Sequence, residues 1–241
     1  MRIVIVGGVA AGMSAAARAR RLDESAEIIV LERGEHVSFA NCGLPYYVGG
    51  EIEQQSSLLV QTPASLRAAL NLDVRVNTEA VGLDAGAKIL TLRTAAGEER
   101  LEYDALILAP GAFALHPPIA GLDSPRVHTL RTVADAVTLR QMVEDGAKKA
   151  VVLGAGFIGV EAAEAFHRQG LEVDIVEFAA HLLPPLENEI AAPDIAELRR
   201  MGITVNTGIA AQSIEHDAGR RDTVVLGDGS IQMLNDSRLV Q

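Results

Sequence analysis

Residues 150–170 read "AVVLGAGFIGVEAAEAFHRQG". A short apolar strand runs into G-x-G-x-x-G at Gly154, Gly156 and Gly159, and a helical run follows at once. The next strand, "EVDIVE", ends on Glu177. Few folds tolerate that order. The first glycine makes a tight turn, the second lets a pyrophosphate approach the backbone, and the third lets the helix pack on the strand. The helix N-terminus then points free amides at the phosphates. Glu177 suits a ribose and would repel a 2′-phosphate, so NADH is favoured over NADPH. The alternative is a buried turn beside a surface acid.

The N-terminus repeats the plan. "RIVIV" leads into Gly7, Gly8, Val9, Ala10, Ala11 and Gly12, then into "MSAAARARRL", and "EIIVLE" ends at Glu32. Gly7 and Gly12 hold the outer glycine positions, but Val9 takes the middle one, so its side chain must point away from any pyrophosphate. Glu32 again stands where a ribose would lie. Two copies at long spacing mean two dinucleotide-binding domains rather than a solenoid, and two such sites suggest two cofactors exchanging electrons.

The remaining pattern fills in an α/β fold with two Rossmann-like domains. Residues 63–70 read as a helix with Thr62 as N-cap and Pro63 at its first position. Residues 73–103 alternate short β-like runs with turns, as in a β-meander insertion. Residues 132–146 read as another helix, and residues 186–200 as a solvated helix face. "HPPIAGLD", residues 116–123, breaks regular structure. The expected division is 1–115 and 116–241.

Composition excludes several classes. A net charge of −11 argues against nucleic acid as the main partner. No apolar run approaches a membrane span, and "MRIVIVGG" does not read as a signal peptide, so a cytoplasmic location is expected. The six histidines show no metal-ligand spacing, and none of the sequence matches G-x-S-x-G or G-x-x-x-x-G-K-[ST].

The one cysteine, Cys42, lies in "SFANCGLPYYVGG". It cannot form an internal disulfide, which agrees with a reducing compartment. A lone cysteine is commonly a small buried hydrophobe. Here "CGLPYY" could open a short helix whose N-terminus favours a thiolate, with Ser38 and Asn41 as polar neighbours. Ser14, Arg18 and Arg21 share one helix face, suited to phosphates or simply to solvent.

The run from "GGVAAGMSAAARARRL" through "SFANCGLPYYVGG", with "YDALILAPGA" and "VVLGAGFIGVEAAEAF", resembles the coenzyme A-disulfide reductases. These form a single-cysteine branch of the FAD-dependent pyridine nucleotide-disulfide oxidoreductases. The resemblance fades after about residue 215. It implies that Gly7 to Gly12, Glu32, Arg33 and the Pro110–Gly111 turn hold FAD. It implies that Gly154, Gly156, Phe157, Ile158, Gly159 and Glu177 hold the nicotinamide cofactor, with Phe157 covering the flavin until that cofactor arrives. Phe157 could equally be plain packing. Glu161 fits the same pattern, or serves only to cap or orient the helix.

Ser14, Arg18, Arg21, Ser38 and Asn41 match coenzyme A contacts, and Cys42 matches the redox thiol, with Asn41 beside it. The implied substrate is a small-molecule disulfide: coenzyme A disulfide or a related persulfide. Two alternatives stand beside this: an NADH oxidase or peroxidase using a Cys42 sulfenic acid, and an inactive nucleotide-binding fragment. Full-length relatives continue into a returning FAD segment and a homodimerisation domain, which nothing here matches. The tail is therefore expected to stop before the second domain closes, leaving an unpaired sheet edge, weak FAD binding and low competence.

Overall fold

The computed structural model of the chain describes residues 1–216, 221–235 and 238–240. They form two compact units, one of Met1–Ala40 with Ser56–Ala112, the other of Asn41–Gln55 with Phe113–Gln241. The units are not contiguous in sequence. The segment around Cys42 belongs to the second, whereas a single cut at residue 116 would leave it in the first.

In chain order, β1 (Arg2–Val6), α1 (Ala10–Leu22) and β2 (Glu27–Leu31) open the first unit. A 3-10 turn at Asn41–Gly43 and α2 (Leu44–Val48) follow, in the second unit. The chain returns to the first with α3 (Pro63–Leu70), β3 (Asp73–Arg75), β4 (Glu79–Asp84), β5 (Ile89–Thr94), β6 (Gly97–Glu102) and β7 (Ala105–Leu108). β1 pairs in parallel with β2 and β7, and β2 with β3, giving the order β3-β2-β1-β7. An antiparallel sheet, β4-β5-β6, is the expected meander. β3 is not part of it.

Strand alternation explains how this unit packs. Successive side chains point to opposite faces. Ile3, Ile5, Ile28 and Val30 therefore face one way, onto Met13 and Ala16 of α1 and Leu66 of α3. Val4, Ile29 and Leu31 face the other way, onto Leu90, Leu92 and Leu101 of the meander. The parallel strands are buried on both faces, which is why they read as continuous apolar runs.

The second unit continues with β8 (Val127–His128), α4 (Val133–Glu144), β9 (Lys149–Leu153), α5 (Phe157–Arg168), β10 (Glu172–Glu177), α6 (Asn188–Met201) and β11 (Thr204–Thr207). Then come β12 (Ala211–His216), β13 (Arg221–Leu226), β14 (Ile231–Asn235) and β15 (Arg238–Val240). The parallel sheet has the order β11-β10-β9-β15-β8. A second antiparallel sheet, β12-β13-β14, covers one face of it, with Ile214, Val224 and Leu226 on Val151 and Val176. Sequence analysis does not predict this second meander, although "GDGS" between two alternating runs signals its hairpin.

β15 pairs in parallel with both β9 and β8 and so lies between them in the sheet. Three residues are too few to show a period. Their position follows from long-range pairing that local pattern does not encode.

The local signals elsewhere act as expected. Thr62 and Ser65 form a capping box at α3, and Thr132 and Asp135 form one at α4. No regular element lies between Leu108 and Val127, the proline-rich stretch. Among the described residues, no helix is long and apolar enough to cross a membrane.

Candidate active site: two glycine turns and a lone thiol

The two glycine turns are built alike. Gly7 donates to Leu31 O at 2.8 Å, and Gly154 donates to Val176 O at 2.8 Å. Both glycines adopt positive φ, 104° and 99°, which a side chain disfavours. A Cβ on Gly12 would lie 1.7 Å from Gly7 O, and one on Gly159 would lie 2.1 Å from Gly154 O. Close helix-to-turn approach thus demands glycine at both third positions.

The middle position differs, and the difference is informative. Val9 has φ −107° and Gly156 has φ −71°, both open to any residue. A Cβ on Gly156 would meet nothing within 4 Å. Neither backbone strain nor packing inside the protein explains glycine there. The open space fits a pyrophosphate lying against the turn.

The helices that follow agree. α1 and α5 have no side-chain cap and no acid in their first turn. α3 and α4 satisfy their own N-termini with capping boxes. α6 lacks a cap too, but it carries Glu189 in its first turn. The first amides of α1 and α5 are left for an anionic ligand. Glu161 is exposed beyond the first turn and does not cap α5.

Each acid at the end of the second strand staples its turn. Glu177 accepts from Ala155 N and Ala179 N, both at 2.6 Å, and is nearly buried. Glu32 accepts from Gly8 N and Gly34 N, both at 2.8 Å. Their first role is therefore to hold the loop, and a ribose would use the lone pairs that remain. Arg33 is exposed next to Glu32, and Pro110 and Gly111 are exposed just after β7, with φ +71° at Gly111. Ala109 O lies where a Cβ of Gly7 would fall, at 1.9 Å, which seats the β1 turn against the end of β7. Phe157 and Ile158 are exposed at the start of α5, at 57% and 54%. Phe178, after Glu177, is 79% exposed, an apolar surface that sequence analysis overlooks.

Ser14, Arg18 and Arg21 lie on one exposed face of α1. Ser38 has φ +47°, a strained value for a serine. Backbone bonds fix the segment there: Ser38 N to Gly8 O, Ala40 N to Leu58 O and Val60 N to Ser38 O. Asn41 and Cys42 are both exposed, in the 3-10 turn. Cys42 is exposed rather than buried in the core, and the 3-10 turn that carries it runs directly into α2. Ser14, Arg18, Arg21 and Ser38 fall in the first unit, while Asn41 and Cys42 fall in the second.

The family model described as pyridine nucleotide-disulphide oxidoreductase matches residues 1–237. The chain belongs to that family. It is 35% identical over 178 residues to the coenzyme A disulfide reductase of Staphylococcus haemolyticus, covering 73% of this chain and 40% of that one. It is 34% identical over 200 residues to an NADH oxidase of Methanocaldococcus jannaschii, covering 82% of this chain and 44% of the relative. Reduced CoADR-RHD of Bacillus anthracis superposes with a TM-score of 0.93 at 38% identity, over 100% of this chain and 43% of that one. The chain thus spans about half the length of the relatives it matches. The family is one of oxidoreductases, and both glycine turns lead into helix N-termini without a side-chain cap.

Proposed function

We propose that this chain carries the nucleotide-binding and thiol-bearing parts of an NADH-dependent reductase of coenzyme A disulfide, or of a related small disulfide or persulfide. One observation carries the reading: the single cysteine is exposed in a short turn, in a chain with two uncapped glycine-turn helices. Gly7 to Gly12 with Glu32, Arg33, Pro110 and Gly111 would hold FAD. Gly154 to Gly159 and Glu177 would hold NADH. FAD, when bound, supplies a two-electron relay between NADH and a disulfide.

The residues of the chain do the rest. Ser14, Arg18 and Arg21 offer hydroxyl and guanidinium donors to the phosphates of coenzyme A, with Ser38 and Asn41 as further polar contacts. The Cys42 thiolate attacks one sulfur of the substrate. The S–S bond breaks, one coenzyme A thiolate leaves, and a Cys42–coenzyme A mixed disulfide remains. Two electrons originating on NADH cleave that bond and release the second thiolate. With one cysteine in the chain, no internal partner competes for Cys42.

Intact-mass measurement tests this. After exposure to coenzyme A disulfide, the chain gains one coenzyme A, and the Cys42→Ser variant gains none. The name of the Methanocaldococcus relative favours a second reading, an oxidase with a Cys42 sulfenic acid. A peroxide-derived oxygen adduct without a coenzyme A adduct would select it. A chain that takes neither adduct and no FAD would be a nucleotide-binding fragment.

A further inference from the structure

We propose that Arg140 and Gln169 are positioning residues for the Cys42 thiol, fixing its segment to the same unit that carries the Gly154–Gly159 turn. The inference rests on the reading of Cys42 as the reacting thiol.

α2 has five residues, far too few to persist alone. What it packs against decides where it sits. Leu44, Pro45 and Val48 are buried, and α2 packs on α4 and α5. Gly49 lies so close to α5 that an added Cβ would come within 3.2 Å of the Ala165 Cβ. These contacts fix the helix sideways. At its C-terminal end Tyr47 O accepts from Gly50 N at 3.2 Å, and two side chains add donors to Tyr47 O and Gly49 O.

Arg140, on α4, donates from Nη1 to Tyr47 O at 2.8 Å. Its guanidinium lies 5.7 Å from the centre of the Tyr47 ring, within cation–π range. Its Nε donates to Glu144 at 2.7 Å, which holds the guanidinium plane in place. Gln169, the C-cap of α5, donates from Nε2 to Gly49 O. Arg168 adds an exposed ion pair to Glu51 at 2.9 Å. Such a pair contributes little.

α5 therefore does two jobs. Its N-terminus is the glycine turn, and its C-cap grips the end of α2, about 18 Å away at the usual helical rise. The thiol segment precedes that grip by a few residues. Arg140 and Gln169 touch neither substrate nor cofactor. They act through α2 on where Cys42 stands.

The test uses the full chain, whose one cysteine makes labelling site-specific. Iodoacetamide alkylation of Cys42 is followed against pH in wild type, R140M, Q169L, R140K and R168M, with melting temperatures alongside. Cys42 is already exposed, so no opening limits its alkylation. R140M and Q169L free the segment from its anchors and change the rate about threefold or more relative to wild type and R168M. R140K still donates to Tyr47 O and stays near wild type. R168M removes only exposed ion pairs, to Glu51 and to Glu164, and sets the control for both rate and melting. Alkylation of R140M and Q169L at the wild-type rate overturns the proposal. Should R140M fail to fold, Q169L, on an exposed cap, decides alone. Alkylation needs no redox role for Cys42. A shifted rate with no coenzyme A adduct would keep the positioning role and discard the redox reading.

Discussion

Glu177 accepts the amide of Ala155 at 2.6 Å, and through its other oxygen the amide of Ala179. One side chain thus closes the loop of the second glycine turn from inside. Glu177→Gln turns an N–H toward an N–H on one side and leaves a nearly buried amide without an acceptor. The cost is about 1–3 kcal/mol. Urea unfolding should show that loss, and calorimetry should show weaker NADH binding. Glu32→Gln should cost less, because its carboxylate is only half-buried.

Gly156 separates ligand demands from fold demands. Gly156→Val places its side chain in open space at a permitted φ. Stability should stay within about 1 kcal/mol of wild type. NADH affinity should fall at least about tenfold, because the valine fills the pyrophosphate approach. Gly154→Val, at φ +99°, should instead lose stability. Paired melting and NADH titration distinguish the two. Equal NADH affinity in Gly156→Val would remove the case for a cradle at this turn.

Arg20 is a buried guanidinium without a carboxylate. It donates to the carbonyls of Leu70, Asp23, Glu24, Ala26 and Asn71, tying the end of α1 to the end of α3. Arg20→Ala strands those acceptors and should cost on the order of 3 kcal/mol. Arg20→Lys should recover only part, because an ammonium has fewer donors and no planar fork. Chemical denaturation of the three proteins checks the order.

Lys149 pairs with Asp174 at 2.7 Å, and the Asp174 side chain is 2% exposed. Burial opposes the ammonium, but its hydrogen bonds and charge attraction to Asp174 and Glu172 outweigh that and raise the pKa above the ordinary 10.5. A raised folded pKa means the stabilisation is complete below about 10.5. It is lost as pH climbs through the higher folded value. Lys149→Met leaves Asp174 buried without its cation, at a cost of about 3 kcal/mol near neutrality. Its stability curve should lack the part of the alkaline decline due to Lys149. Unfolding free energies measured from pH 7 to 11 test this.

How much was legible follows period and range. The strands Arg2–Val6, Glu27–Leu31, Lys149–Leu153 and Glu172–Glu177 announce themselves, because strands buried on both faces read as apolar runs. The Thr62 and Thr132 caps are equally local, a hydroxyl three residues ahead of its amide. The glycine spacing states its own stereochemistry. By itself, the sequence determined the two α/β units, the two glycine turns and the presence of a single thiol.

Tertiary structure decided the rest. Three-residue β15 finds its place between β9 and β8 only through pairing with strands far back in the chain. Cys42 joins the second unit because α2, too short to stand alone, packs on α4 and α5, and because Arg140 and Gln169, far along the chain, hold its carbonyls. Arginine and glutamine on a helix carry no local mark of such a task. Glu32 and Glu177 read as ribose acceptors, and the fold shows them first as staples, since burial and nearby amides act on a carboxylate before any ligand does. Local periodicity writes elements into sequence, but which distant donor meets which carbonyl exists only once the chain has closed on itself.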